Sequence, residues 1–68
     1  MSGTIYRKSE IVGTSATSVS DAVDTAIARA TKTLRNVDWF EIDEIRGQVK
    51  DGKVSQYQVT LKVGFRLE

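Results

Sequence analysis

No cysteine, histidine or proline occurs anywhere in the 68 residues. Without cysteine there are no disulfides, no thiolate zinc sites and no thiol nucleophile. Without histidine the usual near-neutral general base and the commonest transition-metal ligand are missing too. Proton transfer would fall to a carboxylate, a lysine or a tyrosine, and none stands out, so the chain does not read as an enzyme. No apolar run approaches membrane-spanning length. The amino-terminal Met1-Ser2-Gly3-Thr4 lacks the apolar segment of a secretory signal, and the expected location is cytoplasmic. Ten basic against nine acidic residues leave a net charge of +1, which is no electrostatic footprint for nucleic acid. The expectation is one domain over residues 1–68. A domain this small buries only ~60% of the surface its unfolded chain exposes. With disulfides and structural metals set aside, oligomerisation is the remaining route to stability.

What is present reads as strand, helix, strand, turn, strand. Ile5 to Val12 is β-rich but has no clean apolar face, which suggests an edge or an interface, and it ends in Gly13-Thr14-Ser15. Val19, Ala22, Val23, Ala26, Ile27, Ala30 and Leu34 follow helical spacing. Ser18 can cap the first turn, and Asp21 three residues later resembles a capping box. Asp21 and Asp24 early, with Arg29, Lys32 and Arg35 late, complement the helix dipole. The alanine-rich buried face allows close approach to this helix. From Ser55 to Glu68, Tyr57, Val59, Leu61, Val63, Phe65 and Leu67 alternate with mostly polar residues, as in a strand with one buried face.

Between Asp38 and Val49 the apolar parity changes, with Phe40 and Ile42 on one phase and Ile45, Gly47 and Val49 on the other. One extra residue near Asp43-Glu44 returns them to a single face, so a β-bulge is expected there. Asp51-Gly52 marks the turn. A two-residue loop puts the two apolar faces out of phase, whereas a three-residue loop with Gly52 left-handed pairs Ile45 with Tyr57. That register sets Ile42 beside Val59, Phe40 beside Leu61 and Trp39 opposite Lys62. The fold expected is α+β, a β-α-β-β chain whose three-stranded antiparallel sheet is covered on one face by one helix.

Trp39 does not fit this pattern, because the register sends it to the polar face with Glu41, Arg46, Gln48, Gln58, Thr60 and Arg66. A large indole is seldom left in water without a partner. A subunit contact would bury it; alternatively, it stacks on a planar ligand. The neighbours suit a ligand with a polar edge, since a glutamine amide both donates and accepts and a guanidinium can stack or bind phosphate. Trp39 and Gln58 lie several residues apart along the strands, so a symmetric interface is needed to bring both to one ligand. The cations on the helix read as a solvated face, with an anion or nucleotide contact as the alternative. Asp43, Glu44 and Asp51 have no convincing metal spacing.

Several stretches together resemble one family. They are Glu10-Ile11-Val12-Gly13-Thr14-Ser15, Asp38-Trp39-Phe40-Glu41-Ile42, Ile45-Arg46-Gly47, Tyr57-Gln58-Val59 and Lys62-Val63-Gly64-Phe65-Arg66-Leu67. In this order and spacing they are similar to the signature stretches of bacterial dodecins, over nearly the whole chain. The resemblance implies a sheet wrapped around the helix and a hollow homododecamer with cubic symmetry. It also implies flavin pockets at two-fold axes, each holding two flavins stacked between tryptophans of neighbouring subunits. Trp39 matches the stacking position, Gln58 the glutamine on the flavin's polar edge and Arg46 an arginine over the site. Arg66 matches a basic position near the phosphate. The implied ligand is flavin mononucleotide (FMN), with riboflavin and FAD as alternatives, held for storage and photoprotection without turnover. Some relatives also bind coenzyme A, for which Arg29, Lys32 and Lys8 are the candidate contacts. Ser9 departs from the family's usual aliphatic residue, which bears on the packing of the first strand. Two other readings stay open: a flavin-dependent enzyme, and a structural oligomer in which Trp39 only seals subunits.

Overall fold

Long strands and a short helix set the shape of the chain. The computed structural model describes residues 3–68; Met1 and Ser2, part of the stretch read for a signal segment, lie outside the described residues. The elements are β1 (Tyr6–Ser15), α1 (Val19–Ala30), β2 (Val37–Lys50) and β3 (Lys53–Arg66). The three strands form one antiparallel sheet in the order β1-β3-β2, so β3 is central and β1 is an edge, as its mixed pattern suggested.

β1 runs three residues further than expected, with Gly13, Thr14 and Ser15 opposite Val59, Gln58 and Tyr57. α1 crosses the strand closely at Gly13. A Cβ there would collide with the Ala22 carbonyl oxygen and stand 2.9 Å from the Ala26 Cβ. The capping box is also modified. Ser18 Oγ accepts from the Asp21 N–H at 3.0 Å, but the Asp21 carboxylate does not reach back to Ser18. Instead Ser15 Oγ donates to Asp21 at 2.6 Å and accepts from the Thr17 and Ser18 N–H groups. The hydroxyl of Ser15 thus relays the carboxylate's capping role. α1 ends at Ala30, short of Leu34, and residues 31–33 tighten into a turn in which the Leu34 N–H reaches the Ala30 carbonyl at 2.9 Å. Asn36, at φ 62°, then turns the chain into β2.

The β2–β3 connection differs from the expected three-residue loop. Lys50 lies opposite Lys53, and Asp51 and Gly52 both have positive φ, 53° and 76°, the backbone of a two-residue hairpin turn. Phase is recovered on β3, where Val49 faces Val54 but Gln48 faces Gln56, leaving Ser55 as a bulge. The Ser55 hydroxyl donates to the Gln48 carbonyl at 3.3 Å and helps hold it. An added loop residue and a bulged residue both restore parity, but they shift the register in opposite directions. Ile45 therefore faces Val59, Ile42 faces Leu61, Phe40 faces Val63 and Trp39 faces Gly64, each two residues from the expected partner. The expected bulge at Asp43 is present, and a further one falls at Asp38.

The core is thin. Val59, Leu61 and Val63 of β3 are fully buried against Ala22, Val23, Ala26 and Ala30. α1 packs on β1 and β3. Twelve helical residues span ~18 Å, while the chain extends 57 Å along its longest axis. The helix-side row of the hairpin, Phe40, Ile42, Ile45, Val49 and Val54, is consequently exposed.

Candidate ligand-binding face

The opposite face of the sheet carries the expected polar set, and the bulges decide how it is arranged. A bulge re-aims the side chains that follow it, and the one at Asp38 turns Trp39 onto this face directly over Gly64. A Cβ at Gly64 would come within 3.0 Å of the indole atoms Cδ2, Cε2 and Cζ2. The six-membered ring therefore rests on bare backbone. Tyr6 flanks it, with ring centroids 5.6 Å apart and planes inclined by 54°. Trp39 remains 36% exposed.

Every cation around the indole is paired with a carboxylate. Arg66 approaches Asp38 at 3.7 Å and donates to Asn36 Oδ1 at 3.3 Å. The Tyr6 hydroxyl donates to the same Asp38 carboxylate at 3.3 Å. Lys8 meets Glu41 at 2.7 Å, and Lys62 meets the bulged Asp43 at 2.7 Å. The hydrogen bond to Asp43 holds the Lys62 ammonium pKa above the usual lysine value, with smaller contributions from the charges of Asp43, Glu10 and Glu41.

A second cluster lies further along the hairpin. Arg46 faces Gln58 across the ladder, and its Nε donates to Gln58 Oε1 at 3.3 Å. The Gln58 amide in turn donates to Gln56 Oε1 at 2.9 Å, and Glu44 lies 3.8 Å from Arg46. Gln58 lies six residues before Gly64 on β3, a distance of ~20 Å at ~3.4 Å per residue. One chain therefore brings Trp39 to Arg66 and Arg46 to Gln58, but does not bring the two pairs together.

Lys8 is likewise apart from Arg29 and Lys32, since it lies on the outer face of β1 and they follow the helix on the other side of the sheet. Arg29 lines a groove of ≈540 Å³ between α1 and β1 with Ile11, Gly13, Ala26 and Leu34. Arg35 pairs with Glu68 at 3.2 Å. Among the described residues, no three carboxylates group to hold a metal ion, and no helix is long and apolar enough to cross a membrane.

Gly64, Tyr6 and Asp38 were not among the residues singled out from sequence. A signal existed for one of them: Gly64 is the residue without a side chain in the polar phase of β3, and an isolated strand glycine marks a close approach.

Comparison with known proteins bears on what this face is for. The family model described as Dodecin matches residues 5–68. The curated dodecin of Thermus thermophilus is 54% identical over 66 residues, covering 97% of this chain and 96% of the relative. The solved dodecin of Streptomyces coelicolor superposes with a TM-score of 0.93 at 54% identity, over 100% of this chain and 97% of the other. A dodecin from Streptomyces davaonensis gives 0.92 at 52% identity, with 98% of each chain covered.

Proposed function

Because this chain is a member of the dodecin family, we propose that it binds flavin nucleotides without turning them over, storing them and shielding them from photochemistry inside a homododecameric shell. The observation that carries this reading is the seat of Trp39. Its indole is laid across bare backbone at Gly64, steadied from one side by Tyr6, and is left 36% exposed within a polar surround. That is a platform for a planar ring. Stacking adds ~0.5–1.5 kcal/mol per contact beyond the area buried. An indole in van der Waals contact is also an electron donor to an excited isoalloxazine, which would quench the flavin before it reacts elsewhere.

The roles follow from the two clusters. Gln58, aligned by Arg46 and Gln56, offers the donor and acceptor that a flavin's pyrimidine edge requires. Arg66, one pleat from the indole's seat, is the cation for the phosphate of FMN, and engaging it means exchanging the Asp38 carboxylate. The ~20 Å between clusters requires neighbouring copies to complete each pocket. The uncovered apolar row from Phe40 to Val54 gives those copies a surface to bury. The Thermus dodecin has been solved with a tryptophan changed to phenylalanine, and with arginines seven and twenty-seven residues beyond it changed to alanine. Trp39, Arg46 and Arg66 have that same spacing, which supports choosing them here. Riboflavin and FAD present the same ring system. Coenzyme A is a secondary ligand that would meet Arg29 and Lys32, with Lys8 contributed by another copy. Cytoplasmic residence completes the reading.

The test is a titration of ligand-free protein with FMN. Trp39 is the sole tryptophan, so its fluorescence reports this site alone. Mutual quenching of flavin and indole that saturates near one flavin per chain is expected. Trp39→Ala should weaken binding at least ~100-fold, since it removes both stacking and apolar burial, each tenfold being ~1.4 kcal/mol. Size-exclusion chromatography should show its assembly intact. Tight flavin binding by the variant would overturn the stacking role, and a broken assembly would assign Trp39 to subunit contact instead. Turnover of a nicotinamide cofactor by the flavin-loaded protein would make it an enzyme.

A further inference from the structure

We propose that Gly64 is a positioning residue that sets the height of Trp39 above the sheet and thereby the width of the flavin slot. This rests on the flavin reading above.

Trp39 and Gly64 face each other across the ladder, with Lys8 on the far side of Gly64. The benzo half of the indole occupies the space where a Cβ at position 64 would stand, within 3.0 Å of three ring atoms. Carbon–carbon contacts relax only at ~3.5–4.0 Å, so a methyl group would lift the ring on the order of 1 Å. The indole cannot escape sideways at no cost. Tyr6 stands against it on the β1 side, and its hydroxyl is fastened to Asp38, the bulged residue that aims Trp39. The displacement is therefore directed outward, into the volume a stacked ring would fill. In a slot closed by the indoles of two symmetry-related copies, each contributes its own displacement. The combined intrusion, roughly 2 Å, is more than half of one contact distance of ~3.5 Å. A glycine at this point lets a full indole lie low enough to leave room for flavins between two such faces.

The experiment is a double-mutant cycle on the assembled protein, with FMN as the probe and Gly64→Ala and Trp39→Phe as the two changes. Phenylalanine has one smaller ring and no counterpart of Cζ2, one of the two indole atoms nearest the added Cβ, so its ring can settle with less displacement. Gly64→Ala should weaken FMN binding at least ~10-fold in the wild-type background and less than ~3-fold beside Trp39→Phe. In the ligand-free protein, acrylamide should quench the Trp39 fluorescence of the Gly64→Ala variant more strongly than that of wild type, because the raised ring is better exposed. Equal losses in the two backgrounds, or unchanged affinity and unchanged quenching, would overturn the inference. If wild type binds no FMN, the functional reading fails, and acrylamide quenching alone decides whether Gly64 seats the indole. If Gly64→Ala does not assemble, recovery of assembly by adding Trp39→Phe supports the steric contact, and failure of the double variant to assemble overturns it.

Discussion

Ile45→Asp should dismantle the assembly. Ile45 lies on the helix side of β2 opposite fully buried Val59, yet in one chain it is 56% exposed because α1 packs mainly on β1 and β3. Phe40, Ile42, Val49 and Val54 are in the same position, each with about half or more of its surface open. Five residues at about half exposure amount to roughly two and a half complete side chains. At ~1.5–3 kcal/mol for each full side chain buried, neighbouring copies gain about 4–8 kcal/mol per subunit by covering this row. An aspartate at position 45 forfeits its share and leaves a carboxylate in an apolar contact without a partner, which costs several kcal/mol more. Every subunit of the oligomer carries the change, so the assembly should not persist at micromolar concentration. Light scattering coupled to size-exclusion chromatography measures this directly, and circular dichroism reports how much strand and helix the released chain keeps. Ile45→Val, which trims one methylene, should assemble normally. Elution of Ile45→Asp at the wild-type mass would show that this row is not an assembly surface.

Two further outcomes follow from the hydrogen-bond map. Ser15→Ala removes a hydroxyl that accepts from two N–H groups and donates to Asp21; denaturant unfolding should register a loss of about 2–3 kcal/mol, and a loss under about 0.5 kcal/mol would show that water replaces the relay. Asp38→Asn releases Arg66 from its carboxylate, so FMN affinity at low salt should rise several-fold while riboflavin affinity holds. An equal gain for both ligands would remove Arg66 from the phosphate contact.

The elements legible in the sequence were those whose cause is local. Helical spacing and the Ser18 cap identified α1, and the strict alternation of β3 identified the central strand. The Asp43 bulge was visible because it flips the phase of a long apolar series. The Ser55 bulge was not, because the phase change it causes between Val54 and Tyr57 can equally be assigned to a longer loop. Parity alone cannot tell an added loop residue from a bulged strand residue, and the register moved by two residues as a result. That difference did not change which face holds Trp39, since a two-residue slip preserves the face. It changed what lies beneath the indole, from Lys62 to Gly64. The separation of Trp39 from Gln58 survived the slip, which widened it from four residues along β3 to six. The pairing of Lys8, Lys62 and Arg66 with carboxylates was not readable, since which charges meet depends on register and bulges together.

The two half-pockets on one chain have a consequence for how ligand and shell depend on each other. On the proposed assignment, neither the Trp39 cluster nor the Gln58 cluster holds a flavin alone, because ~20 Å of strand separates them. If assembled chains bind flavin more tightly than isolated ones, as that assignment requires, flavin stabilises the assembly by the same free energy that assembly adds to binding. At a free flavin concentration 100 times the dissociation constant, each occupied site contributes ~2.7 kcal/mol, a sizeable fraction of the about 4–8 kcal/mol estimated for the apolar row. On the same assignment the apolar row, present with or without ligand, would hold the empty assembly together. The aromatic platform adds to it only when loaded, so a store built this way is firmest when full and remains assembled while it empties.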